Sequence, residues 1–529
     1  MWTSTLFIII STLLSTWHSL ASAQEVSYVS GMGRDEHGLD STPLVDGNVQ
    51  FSFGQFVSTI EAITNTLFNG PNRTIDHVLP VDKIYGVNIG NWLLSEPWIF
   101  PGKWIAMGGE ICNDCSKCRM SEWSLSNYLG RNKTNQVFQE HWASWLTQDD
   151  VDAIVNAKLN TVRIPIPFWV VEDIVDTTTE PYAQGGLDEL IRGLEMFRKA
   201  GIWVVLDHHA LPGVSASNQM FAGNCTKNVQ FYSSQDDYNY KRAVTWAIVM
   251  TFLTHRHPAF KTVFSIEAIN EPIMNYAQTP GLSQYYKAFV LGVRLTELSL
   301  GIICDRTLAA GALTNDIVLT AFIKAIPIIA KLAWKYNIED VNFDFLNALV
   351  GTRGKVKLRD LKNWLNNGLI GRRCIATQFM NRDWQYSTDG TPVPNPADAA
   401  RGPQLYDNHI YFNFGGVSKN QTEYSYMVTI CNYTHIAQEA SIRNAPLYTG
   451  EWAISTSWDA TDEFLKKWGD AQKLAYGVGS GWTFWTWKVD PDATVPRQDM
   501  WSYQTALKNG LLTLDPSAVF DPNVCAPYK

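Results

Sequence analysis

Apolar residues along this chain fall into two kinds of segment that alternate. Short continuous runs, each closed by polar residues, begin at Ile84, Leu159, Ile202, Val263, Ile375, Leu405, Leu447 and Gly481. Between several of them apolar positions recur every three or four residues, as in Thr147–Ala157, Leu187–Ala200 and Tyr240–Leu253. The runs read as buried strands and the spaced segments as amphipathic helices. Thr147-Gln148-Asp149-Asp150 supplies helix-start chemistry, and Gly201 a helix stop. Strand and helix in alternation mean parallel strands, and eight of them predict an α/β fold, a (β/α)8 TIM barrel. One interval breaks the rhythm. Residues 292–373 are too many for a single crossover, and Thr314–Lys335 and Asp340–Leu365 both show helical spacing. A helical insertion between strands four and five is expected there.

The two ends of the chain and its composition narrow the setting. Leu6–Leu14 is apolar and Ala21-Ser22-Ala23 is a small-residue cleavage pattern, so residues 1–23 read as a signal peptide. Residues 24–82 are polar, with a short helix expected over Phe56–Leu67, and read as an N-terminal extension; residues 83–529 read as the barrel domain. No later segment reads as long and apolar enough to span a bilayer. A net charge of -9 argues against nucleic acid as a partner. Eight cysteines in an exported chain point to disulfides. Cys112, Cys115 and Cys118 have a spacing that also suits zinc, but export favours disulfides to distant partners, and Cys304 with Cys374 would tie the ends of the insertion. Sequons at Asn72, Asn132, Asn224, Asn420 and Asn432 agree with a secretory route.

The chemistry lies at strand ends. Val263–Ile269 stops at Asn270-Glu271-Pro272, and Leu447–Gly450 stops at Glu451-Trp452. A carboxylate at the C-terminal end of a barrel strand stands where such barrels keep their active sites, and two of them are the minimal equipment of a glycosidase. Arg163 sits inside an otherwise apolar strand and needs a carboxylate partner, structural or catalytic. His409 and Tyr411 alternate along one strand and face the same side. His208, Glu267, Trp452 and Trp487 read as structural. The chain holds 21 tryptophans, the usual platform for sugar rings, although most tryptophans simply pack.

Taken in order, the motifs resemble glycoside hydrolase family 5, in its fungal exo-β-1,3-glucanase branch. They are Gly86-Val87-Asn88-Ile89-Gly90-Asn91-Trp92 with Glu96-Pro97-Trp98, His141-Trp142, Leu159–Pro165, Asp207-His208-His209, Asn270-Glu271-Pro272, His409-Ile410-Tyr411, Gly450-Glu451-Trp452 and Trp485-Thr486-Trp487-Lys488, followed by Trp501-Ser502-Tyr503. The resemblance implies a retaining enzyme in which Glu271 is the acid/base and Glu451 the nucleophile. Arg163 would hold Glu451 ionised and Tyr411 would orient it. It also implies that Asn270 meets the sugar 2-hydroxyl, that His209 contacts the sugar and that Trp485 stacks beneath it. Glu96 would accept from hydroxyls at the non-reducing end, and Phe414 would clamp the entrance. A Cys431–Cys525 disulfide is implied too. The expectation is a secreted, monomeric exo-β-1,3-glucanase acting on β-glucan in the cell wall, without cofactor or metal. A β-1,6-glucan and a glucosylated sterol or lipid are the alternatives within the family, because the loop from Val214 to Phe221 departs from its pattern and leaves Asn218 an uncertain ligand. An inactive glucan-binding wall protein is the rival of another class, and a metal-dependent hydrolase using Cys112, Cys115 and Cys118 a third.

Overall fold

The computed structural model describes residues 79–302, 304, 315–339, 373–380, 383–385, 401–495 and 497–529, with the backbone of Gln50–Phe51 and Val356–Lys357. Eight parallel strands close a barrel: β1 Ile84–Asn88, β2 Thr161–Pro167, β3 Trp203–Ala210, β4 Val263–Glu267, β5 Ala376–Met380, β6 Gln404–Ile410, β7 Leu447–Trp452 and β8 Gly481–Phe484. Each pairs with the next in sequence, and β8 pairs with β1 to shut the ring. All eight runs of the sequence are therefore barrel strands, shifted by at most a few residues. The fold is the (β/α)8 TIM barrel.

Local chemistry sets the helix ends. The helix Gln148–Asn156 starts on a capping box, in which the Thr147 hydroxyl accepts from the Asp150 N–H and the Asp150 carboxylate accepts from the Thr147 N–H. The helix Gly186–Ala200 stops at Gly201, whose φ of 72° lies in the left-handed region that glycine enters without strain. Helix Tyr238–Arg256 is buried along nearly its whole length beneath helices Leu282–Ser299 and Asp316–Lys335.

The interval between β4 and β5 differs from expectation in three ways. Helix Leu282–Ser299 runs straight through residue 292, so the barrel's own crossover helix extends past the boundary read from the sequence. Asp316–Lys335 is long and apolar enough, by length and composition, to cross a membrane. Apolar residues such as Ile317, Phe322 and Ile329 are buried, and Lys331 and Lys335 pair with Asp173 and Asp188 on the barrel's surface. Its hydropathy thus serves the packing between helices. Val356–Lys357 is paired antiparallel with Gln50–Phe51, where a helix was expected. The rest of Asp340–Leu365 lies outside the described residues, as do the signal peptide, the helix over Phe56–Leu67, Asn72 and most of the N-terminal extension.

Four disulfides link all eight cysteines. Cys431–Cys525 fastens the C-terminal tail, and Cys304–Cys374 bridges the insertion. Cys115 reaches Cys225, 110 residues away, but Cys112 pairs with nearby Cys118, a local loop where distant partners were expected. These bonds consume the thiols that a zinc site would need. Asn132, Asn420 and Asn432 are exposed and Asn224 is half-buried beside the bonded Cys225. The Asn432 amide already donates to the Val428 and Tyr528 carbonyls.

Candidate active site

The barrel strands deliver their polar residues to one place. Arg163, third residue of β2, is fully buried and extends its guanidinium into the middle of the barrel. Nη1 donates to Glu451 Oε1 at 2.8 Å and Asn88 Oδ1 at 3.0 Å. Nη2 reaches Asn270 Oδ1 at 2.9 Å, Glu267 Oε2 at 2.9 Å and Asp207 Oδ2 at 3.1 Å, and Asp407 Oδ2 lies 3.5 Å from Nε. Burial works against the charge on Arg163, but Asp207, Glu267, Glu451 and Asp407 outweigh it and raise its pKa further. One cation thus organises residues from β1, β2, β3, β4, β6 and β7. Gly450 belongs to the same construction. A Cβ there would stand 2.1 Å from Asp407 Oδ2, and its N–H donates to Asp407 at 2.6 Å.

Above this hub stand the two glutamates. Glu451 accepts from Tyr411 Oη at 2.8 Å and from Arg163, with His409 Nδ1 at 3.5 Å. Burial pushes its carboxyl up, while His409 and Arg163 pull it down and Glu271 adds to the rise. Glu271 Oε1 meets His409 Nδ1 at 2.8 Å. Burial alone would lower the His409 pKa; Glu451 and Asp407 reverse this and raise it to about 10, so its ring is an imidazolium that donates to Glu271. Oxygens of Glu271 and Glu451 lie within 4.8 Å of each other.

The pair opens into a pocket of about 640 Å³, also lined by Glu96, His209, Asn270, Tyr411, Phe414 and Trp485. Every site residue taken from the resemblance, His409 and Arg163 apart, lines it; those two lie directly behind the glutamates. His209 Nδ1 donates to Asp207 Oδ2 at 2.5 Å, which leaves Nε2 to accept from Asn270 Nδ2 at 3.2 Å. Asn270 is thereby held at both ends of its amide, by Arg163 and by His209, with one N–H hydrogen left over. The His209 ring also stacks on Trp485, with centroids 5.9 Å apart. Glu96 accepts from Trp98 Nε1 at 2.8 Å, and burial pushes its carboxyl up to about 7. Phe414 stands at the rim, 69% exposed, against Tyr411 and Trp501.

Residues 129–491 match the family model described as Cellulase (glycosyl hydrolase family 5). The chain belongs to glycosyl hydrolase family 5. It is also 28% identical over 454 residues to a probable glucan endo-1,6-beta-glucosidase B of Neosartorya fischeri, covering 84% of this chain and 90% of that one. A probable glucan 1,3-beta-glucosidase A of Aspergillus fumigatus is 28% identical over 450 residues, covering 84% and 90%. Among solved structures, a rutinosidase from Aspergillus niger shares the fold, with a TM-score of 0.50 and 18% identity over 82% of this chain and 99% of that one.

This family 5 site also contains residues that the sequence reading passed over. Asp407 lies in β6, and the alternation that turns His409 and Tyr411 inward turns Asp407 inward as well; that signal was present. Trp384 and the single turn holding Met220 and Phe221 form pocket walls where no periodicity marks a facing direction, and Trp501, quoted in a motif but given no role, is a wall as well. The bland readings for other residues agree with their surroundings. His208 points the other way from His209 and stacks on Trp246 at 3.9 Å, and burial lowers its pKa to about 3. Glu267 is a ligand of Arg163, and Trp452 packs against Trp482 and Phe484. Trp487 donates to Asp150 Oδ1 at 3.1 Å. Asn218 is not among the pocket residues.

Proposed function

We propose that this family 5 hydrolase cleaves β-glucosidic bonds in fungal-type β-glucan with retention of configuration. The observation that carries the reading is the short distance between the carboxylates. With one oxygen of each carboxylate within 4.8 Å of the other, the pair fits the close carboxyls of a retaining enzyme, about 5–5.5 Å apart, better than the about 6.5–9.5 Å by which an inverting pair admits a water. In this mechanism Glu451, oriented by Arg163 and Tyr411, attacks the anomeric carbon. Glu271 protonates the departing oxygen, then takes the proton of the water that releases the sugar from Glu451. The remaining amide hydrogen of Asn270 is available to the sugar 2-hydroxyl, where a bond strengthens as the oxocarbenium character grows.

For the linkage, the relatives favour the alternative over the first expectation. Those named endo-1,6-beta-glucosidase come ahead of those named 1,3-beta-glucosidase, so we take a β-1,6-glucan as the leading substrate and a β-1,3-glucan as second. The four disulfides and the leader-like first residues support action outside the cell. Purified protein offered pustulan and laminarin separately, with the first product followed by proton NMR, tests the whole reading. A β-configured product, formed faster from pustulan, is expected. An α-configured first product would overturn retention, and faster release from laminarin would restore the β-1,3 assignment.

A further inference from the structure

The turn that carries Glu271 is held by side chains that no mechanism above uses. Glu271 has a φ of 41°, left-handed for a residue with a Cβ, and it follows the last rung of the β4 pairing, the Asn270 N–H to His208 carbonyl bond at 3.2 Å. That conformation swings the carboxyl toward His409, and it has to be held from outside. Three contacts do so. The Glu271 N–H donates to Met380 Sδ at 3.1 Å, the Ile273 N–H donates to Tyr232 Oη at 3.3 Å, and Trp384 Nε1 donates to the Pro272 carbonyl at 2.8 Å. Trp384 has a second contact. Its ring stands edge-on to the His409 imidazole, with centroids 5.8 Å apart. It therefore touches both the backbone that aims Glu271 and the ring that holds the Glu271 carboxyl.

We propose that Trp384 is a positioning residue for the acid/base, acting through the Pro272 carbonyl and through His409. This rests on the assignment of Glu271 as the acid/base. Met380, at the end of β5, works beside it by accepting from the Glu271 N–H in the turn after β4. In the first step, which kcat/KM reports, a misaimed acid harms only those substrates whose leaving group needs a proton. It leaves the attack of Glu451 intact.

The test is a series of aryl β-glucosides with leaving groups from 2,4-dinitrophenol to p-cresol, with kcat/KM measured for wild type, Trp384→Phe and Glu271→Gln. Trp384→Phe keeps an aromatic ring and loses the indole N–H. The p-cresyl substrate is expected to fall about tenfold and the dinitrophenyl substrate to stay within about twofold, giving a steeper dependence on leaving-group pKa. An equal fall on all substrates would make Trp384 a sugar-stacking or packing residue and overturn the proposal, as would no change. Should Trp384→Phe not fold, Met380→Leu, which removes the sulfur acceptor, is expected to steepen the same dependence, and a flat response there would overturn the proposal equally. Glu271→Gln separates the two levels. If it does not itself steepen the dependence, the acid/base assignment has failed, whatever Trp384 does.

Discussion

The two ends of the barrel interior are built from the same strands and work by opposite physics. Near the N-terminal ends of the strands, Ile84, Val205, Phe264, Ala376, Leu405 and Tyr448 pack into a cluster sealed by Leu79 and Val81. Toward the C-terminal ends the same strands carry Asn88, Asp207, Glu267, Gln378, Asp407 and Glu451 around Arg163. Strand β6 shows the change within one alternation, since Leu405 is in the apolar cluster, Asp407 in the charged layer, and His409 and Tyr411 at the glutamates. The apolar end gains from area removed from water. The charged end has given up that gain and survives only because its buried groups have partners. What it obtains is a field already oriented before substrate arrives, which suits the roles proposed for Glu451 and Glu271.

The two ends differ most at Glu451. Glu451→Gln should lower turnover of every glucoside on the order of 10⁴-fold or more, while the melting temperature holds or rises, because a buried carboxyl raised by its burial is replaced by an isostere without charge. Calorimetry beside a glucoside assay checks both halves. A large drop in stability would mean that Glu451 belongs to the structural layer and not to the chemistry.

A pair of substitutions sharpens the contrast in stability. Arg163→Met strips the partner from a cluster of buried carboxylates and should cost roughly 3–5 kcal/mol near neutral pH. Leu405→Ala opens a cavity in the apolar cluster and should cost roughly 2–5 kcal/mol. The size will not separate them, but the pH dependence will. Acid protonates the stranded carboxyls, so the Arg163→Met penalty should shrink toward pH 4 while the Leu405→Ala penalty stays level. Chemical denaturation at several pH values checks this, and parallel curves would contradict the two-ended account. Leu405→Ala should leave the leaving-group dependence of the reaction untouched.

The same contrast explains what could be read from the chain. Strands and their order were legible, since a buried parallel strand is a near-continuous apolar run and each polar interruption at its end stands out. Glu271, Glu451 and Arg163 were visible for that reason. Asp407 was legible too, since it shares the alternation of His409 and Tyr411 two and four places along. Trp384 could not be found: it follows a strand by a few residues, and its meaning lies in a contact with Pro272, 112 residues earlier. In the interval after β4 the helical spacing of Thr314–Lys335 was legible and is the helix Asp316–Lys335, whereas a two-residue strand such as Val356–Lys357 is too short to leave a period.

Behind Glu96 sits a second raised carboxyl, which allows a smaller test. Burial pushes Glu122 up to about 8, against the opposing pull of the Ser95 N–H, which donates to it at 2.7 Å. Its folded pKa is above its unfolded one, so the folded state holds a proton that the unfolded chain has released. The stability this confers is complete below the ordinary carboxyl range and is lost as pH rises toward 8. Glu122→Gln should abolish roughly 3 kcal/mol or less of that decline, seen as a flatter melting temperature between pH 5 and 8. An unchanged slope would show that Glu122 keeps its charge in the fold.

Glu96 gives the smallest effect and decides the most about substrate. It lines the pocket with Glu271 and Glu451, its carboxyl sits near 7 through burial, and Trp98 occupies one oxygen. A charge-assisted bond from a sugar hydroxyl to such a group is worth about 1.5–3 kcal/mol, so Glu96→Ala should weaken kcat/KM on short glucosides about ten- to a hundredfold without unfolding the protein. The affinity of the wild type should improve as pH climbs through about 7 and the carboxylate forms, and Glu96→Gln should erase that rise. If Glu96 caps a closed end, a further sugar would leave its other oxygen dry and without a donor, which a cleft open at both ends could not tolerate. Free glucose would then be the first product from a long β-1,6- or β-1,3-glucan, and Glu96→Ala would lengthen the products. If oligosaccharides come first from the wild type, the pocket is open past Glu96 and the endo mode in the names of the relatives holds for this chain as well.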